Sequence, residues 1–201
     1  MPKTTSVQLA ADRFLAESQE IKLLVSQSQA IAHQLGLGRS FRISFYDYGI
    51  IRLHAAFESF ILEALVGVIN QRPGILASKA RASFPRQMSK GACEFLVTGG
   101  GYFDFPGRSG LIGKLKEFLP NDHYLVDVVA SPDYKQALER LWGLRNFAVH
   151  RSAYSKAAAL RAVGVMNMSS AGAWLSKYSR LVDIATSLEG LANAVKTRAH
   201  H

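Results

Sequence analysis

Two long runs of apolar residues at helical spacing limit this chain to folds built from long helices. Between Ser6 and Leu35 the spaced set is Val7, Ala10, Phe14, Ile21, Leu24, Val25, Ile31 and Leu35, with Gly36 and Gly38 following as stop signals. From about Ser44 to Asn70 it is Tyr48, Ile51, Ala55, Ile61, Leu62, Leu65, Val68 and Ile69, closed by a Gln-Arg-Pro-Gly turn at Gly74. Alternation of period two is missing from both runs, and no pair of strands or internal repeat stands out elsewhere. The expected fold is all-α: an up-down bundle of four or five long helices with short inserted helices and a Gly-rich loop.

The rest of the chain reads as follows. A helix is expected over Met88–Val97 and another over Leu111–Leu119, which Pro120 ends. Asn121–Ala130 is a connector with a slightly strand-like apolar run. Ser131-Pro132-Asp133 opens a helix that continues through Leu138 and Leu141, with serine as cap and proline in the first turn. Tyr154–Val165 is a short helix. Ser169 or Ser170 caps one last long helix to about Arg198, with a stripe of Trp174, Tyr178, Leu181, Val182, Ala185, Leu188, Leu191, Ala192 and Val195. Trp142 and Trp174 read as core, His33 and His123 as surface. Thr98–Gly110, TGGGYFDFPGRSG, is the clearest loop, and its glycines lack both the Gly-Lys-Ser/Thr ending of a phosphate-binding loop and a preceding strand. Residues 1–201 are read as a single domain with an irregular insertion at about 71–130.

Composition narrows the partners. The formal net charge is +9, which favours polyanions, with nucleic acid first and an anionic membrane second. Lys79, Arg81, Arg86 and Lys90 make a basic stretch suited to phosphate, or equally a solvated face. The single cysteine, Cys93, excludes a disulfide within the chain and a cysteine-rich zinc site. With a polar N-terminal stretch and no long unbroken apolar segment, the expectation is a cytoplasmic protein with no membrane partner. No chemistry is assigned to His200 and His201.

The residues that conflict with this pattern lie in LWGLRNFAVHR, Leu141 to Arg151. With Leu138 at zero and about 100° per residue, Leu141, Trp142, Leu144, Ala148 and Val149 share one stripe, and Arg145 falls near its middle at about 340°. Asn146 and His150, four apart, flank it. A guanidinium in such a seam is costly unless it is paired or reaches a cleft. The second helix has a matching anomaly, because His54 and Glu58 lie on its apolar face. Glu58 is therefore the expected partner of Arg145 across the helix interface, with His54 as a core histidine beside it.

Arg145 and Asn146, followed by His150 after four further positions, resemble the motif of HEPN domains, and HAAFESFILEAL resembles the early long helix of that family, with Glu58 at its inward acid. The resemblance implies a helical bundle acting as a metal-independent endoribonuclease without a cofactor. Arg145 and His150 would be catalytic, Asn146 supporting, and RNA the substrate. It also implies a homodimer, two motifs forming one composite cleft. Spacing adds a separate argument: five residues put Arg145 and His150 about 140° apart on one helix. Such a ribonuclease is expected to be the toxin of a toxin–antitoxin or phage-defence system, with an antitoxin protein as partner. The alternative is a non-catalytic module that binds RNA or a partner protein, for which Lys79, Arg81, Arg86, Lys90 and Arg151 would matter more than His150.

Overall fold

The computed structural model describes residues 5–80 and 83–199, which contain ten helices and no strand. Four helices are long: α1 (Ser6–Gln34), α2 (Arg39–Gln71), α7 (Pro132–His150) and α10 (Arg180–Arg198). They close a ring, since α1 packs on α2, α2 on α7, α7 on α10 and α10 on α1. The expected all-α bundle is therefore present.

Helix α2 is its axis. It is long and apolar enough to cross a membrane, with a mean hydropathy of 1.4 over its most apolar window, but 61% of that window is buried inside the bundle. Phe14 of α1 stacks on Phe60 and meets Phe57 edge-on, so aromatic packing joins the first two helices at mid-height. Polar contacts fix α10 against α1. Glu189 accepts from Ser18 Oγ at 2.6 Å and pairs with Lys22 at 2.7 Å, and Lys196 pairs with Asp12. Because Glu189 and Lys22 are both largely buried, this pair resists solvent screening better than a surface pair would.

The segment expected as an insertion supplies α3 (Gly74–Ala80), α4 (Lys90–Thr98), α5 (Gly107–Phe118) and α6 (Tyr124–Ala130). Two of its segments differ from expectation. The strand-like connector is helix α6: His123 Nδ1 accepts from Leu125 N–H and caps it, while Leu125, Val126, Val128 and Val129 are buried, so packing outweighs the strand preference of the valines. The glycine loop is shorter than its sequence suggests, because Gly107 to Gly110 form the first turn of α5. Its aromatics divide: Phe103 and Phe105 enter the core, while Tyr102 is 99% exposed. Arg108 ties the insertion down by donating to the carbonyls of Val129 and Ala130, at the end of α6, and its own N–H donates to Glu139 of α7.

The expected last helix is two. After α8 (Ala153–Val163), α9 spans Ala171–Leu175 and α10 starts at Arg180. Between them Tyr178 and Ser179 take left-handed backbone angles, φ 54 and 56. The break has a tertiary cause. Asp47 of α2 accepts from Gly172 N–H at 2.6 Å, and Arg180 lays its guanidinium 4.2 Å from the Trp174 ring while donating to the Trp174 carbonyl. His200 and His201 lie outside the described residues.

Candidate functional site

Helix α7 carries the motif. Ser131 Oγ accepts from Asp133 N–H, Pro132 occupies the first turn, and the helix runs unbroken to His150. Arg151 then adopts the left-handed conformation, φ 49, its N–H donating to Phe147 O. His150 is thus the last helical residue, with an exposed side chain.

The buried residues of α7 are Ala137, Leu138, Leu141, Gly143, Leu144, Phe147 and Ala148. Placed on the wheel, they centre at about 250° on the Leu138 scale, not on Arg145 at about 340°. The buried face is displaced because Phe147 and Gly143 belong to it; a Cβ on Gly143 would stand 3.0 Å from Ala162 Cβ, so α8 covers that side closely. Trp142, expected in the core, is instead half-buried at a cleft between α7 and α8, and Val149 is exposed. Arg145 therefore sits at one rim of the buried face, half-exposed, and His150 at the other. The two side chains of one chain point away from each other.

Arg145 Nη1 donates to Asn146 Oδ1 at 2.9 Å. Its expected pairing with Glu58 is not formed: among the described residues no carboxylate lies within ion-pair distance of Arg145. Glu58 turns along its own helix to His54, with Oε2 3.0 Å from Nδ1. That contact is close but not aligned as a hydrogen bond, and neither ring nitrogen of His54 has a satisfied partner. His54 is 1% exposed and stacks on Phe105 of the inserted loop, so it is a core residue out of reach of any substrate.

One residue at this site escaped the sequence reading. Asp47 is buried on α2, two turns before His54 and on the same face. Its Oδ1 accepts from Gly172 N–H, and its Oδ2 stands 3.7 Å from Arg151 Nη2. It therefore ties the end of the motif helix to α2 and α9. The signal was available, since a carboxylate on the apolar side of α2 is the same conflict that marked His54 and Glu58. Burial pushes the Asp47 carboxyl up from its ordinary value, against the opposing pull of the Gly172 bond and of Arg151. A native value above the unfolded one means that the folded state holds the proton more tightly. The stabilisation from Asp47 is then fully present below the unfolded value of 3.8 and is lost as pH rises through the raised native value. Asp47→Asn keeps an acceptor for Gly172 and carries no charge. It is expected to unfold at the same or higher denaturant concentration than the wild type at pH 7, and the difference should shrink as pH falls toward 4, read from urea midpoints at each pH.

The other predicted residues lie apart. Lys79, Arg86 and Lys90 are exposed, and Arg81 lies outside the described residues. Lys90 lines a cleft with Val66, Gly67 and Asn70 of α2, whereas Arg151 meets α2 at Asp47. About twenty helical residues separate those levels, so roughly 30 Å divides the basic insertion from the motif within one chain. Arg151, 72% exposed in its side chain, is the basic residue that stands beside His150. His123, expected at the surface, is half-buried as the α6 cap, and burial lowers its pKa.

Among the described residues no three His, Cys, Asp or Glu side chains are grouped to hold a metal ion. What fold and site define is a helical bundle with an arginine and a histidine on opposite rims of one helix end. No family model, curated protein or solved structure matches the chain.

Proposed function

We propose that this protein is a metal-independent endoribonuclease of HEPN type, working as a homodimer in which Arg145 of one protomer faces His150 of the other. In that reaction the RNA 2′-oxygen attacks the adjacent phosphorus and the 5′-oxygen leaves. The products are a 2′,3′-cyclic phosphate and a 5′-hydroxyl. His150 takes the 2′ proton or returns one to the leaving oxygen, Arg145 steadies the charge gathering on the phosphoryl oxygens, and Asn146 holds the guanidinium in place.

The observation that carries this reading is the state of Arg145. At the half-exposed rim of the buried face, with no carboxylate within ion-pair distance among the described residues, Arg145 bonds the neutral amide of Asn146 and keeps its charge for an anion. Its separation from His150 favours a second copy, and the exposed Val149 (46%) and Tyr154 (79%) next to His150 offer apolar surface for one. A cytoplasmic activity of this kind harms its own host unless restrained, which suits a toxin held by an antitoxin protein or released by phage infection. The test is incubation of the purified protein with single-stranded RNA in EDTA. Cleavage leaving cyclic phosphate ends is expected; cleavage only after addition of a divalent metal would overturn the proposal.

A further inference from the structure

A second cluster of charged and aromatic side chains forms where the motif helix meets α9 and the start of α10. Arg140 of α7 and Arg180 of α10 both approach the indole of Trp174, at 5.5 and 4.2 Å from its centroid. Arg180 also lies 5.4 Å from the ring of Tyr178. Two guanidiniums repel each other, and among the described residues neither has a carboxylate within ion-pair distance. Asp183, one turn beyond Arg180, attracts Arg140 from farther away, but desolvation and the neighbouring Arg180 still lower the Arg140 pKa. Arg140 Nε is buried with no acceptor, as is Trp174 Nε1. Those two atoms are closed off from solvent, but the doubled positive charge, with no carboxylate within ion-pair distance among the described residues, favours an oxyanion beside the guanidiniums. Beside them Tyr178 is 84% exposed on a backbone at φ 54, a conformation that strongly favours glycine. The fold thus presents a large aromatic ring to solvent where glycine would be less strained.

We infer that Arg140, Arg180, Trp174 and Tyr178 form a subsite for single-stranded RNA, taking a phosphodiester on the two guanidiniums and stacking the adjoining base on Tyr178. Arg140 precedes His150 by ten residues on one helix, about 15 Å along its axis, a separation a few nucleotides of extended strand can bridge. Arg151, just past the end of α7 and 72% exposed in its side chain, adds a further positive charge beside His150. Stacking plus backbone charge is how single strands are held without base-specific contacts. The inference rests on the reading of this protein as acting on RNA, and its test is separate from cleavage.

The test uses the full chain and a fluorescein-labelled 2′-O-methyl uridine decamer, which cannot be cut, with affinity read by anisotropy. Tyr178→Gly is expected to weaken binding about tenfold, as for loss of one stacked base, while its melting temperature stays level or rises because glycine suits the backbone there. Tyr178→Phe should bind as the wild type does. Arg140→Gln should reduce the slope of log affinity against log salt by about 0.7, one phosphate contact on a single strand. Unchanged affinity in Tyr178→Gly, or displacement of the decamer by polyglutamate as readily as by unlabelled strand, would overturn the inference. A protein that binds through Tyr178 yet cuts no RNA keeps the subsite and ends the nuclease reading. One that cuts RNA but binds equally well without the ring does the reverse.

Discussion

His150→Ala is expected to lower RNA cleavage in EDTA by about 10²- to 10⁴-fold, the range associated with removing one general acid–base group. Folding should not suffer. The imidazole is exposed at the last position of α7, and the cap that ends the helix is a backbone bond from Arg151 N–H to Phe147 O, which alanine leaves in place. Initial rates on a defined single-stranded RNA, with circular dichroism melts of both proteins, check the two halves together. A variant that melts like the wild type and cuts at an undiminished rate would remove His150 from the mechanism.

Gly172→Ala should have a large effect on stability. An added Cβ would stand 2.3 Å from the carbonyl oxygen of Ile43 and 3.0 Å from the Asp47 carboxylate. The first of these is backbone, which cannot swing aside, so α9 would have to lift away from α2 and loosen the Asp47 bond to its own N–H. Overpacking of this kind costs about 3 kcal/mol, which for a chain of this size lowers the melting temperature by roughly 6–12 °C. Gly190→Ala on α10 is the contrast. There the nearest atom to a new Cβ is Tyr134 Cε1 at 3.5 Å, an ordinary contact, and alanine favours the helix by about 1 kcal/mol. Calorimetric melts should therefore move in opposite directions for the two substitutions. The Gly172 variant should also lose cleavage, because Asp47 secures Arg151 next to His150.

Helices α1, α2 and α7 could be read from the sequence because each buries a face wide enough to dominate its periodicity, and α7 also announces its start with Ser131, Pro132 and Asp133. The break between α9 and α10 could not. Apolar spacing continues through Tyr178, no proline or glycine interrupts it, and the cause lies in contacts from Asp47 and Arg180 that exist only in the folded chain. Helix α6 was hidden by the strand preference of its valines. The division of the loop aromatics, with Phe105 inside against His54 and Tyr102 outside, depends on where the insertion lands.

The candidate site was legible in kind and misplaced in detail. Arg145 stood out as a cation on an apolar helix, yet the wheel put it mid-seam because Gly143 counts as buried surface only once α8 packs on it. Glu58 turns to His54 and not to Arg145 for a related reason. An acid near the core seeks the nearest polar group, and His54, one turn away on the same helix, requires no interhelical reach. Asp47 shows the converse: a single acid two turns earlier, with no charged neighbour in sequence to mark it, is the residue that joins α2, α9 and the end of the motif helix.

In the proposed dimer one helix supplies only half of the site, and mixing two inactive variants tests this most directly. Arg145→Ala and His150→Ala are each expected to be inactive alone. In a heterodimer of the two, one facing pair keeps Arg145 from the second chain and His150 from the first. If the pair forms between protomers, cleavage in EDTA should reappear after the variants are mixed and allowed to exchange subunits. A mixture shown by mass spectrometry to contain the heterodimer, yet still inactive, would contradict the account.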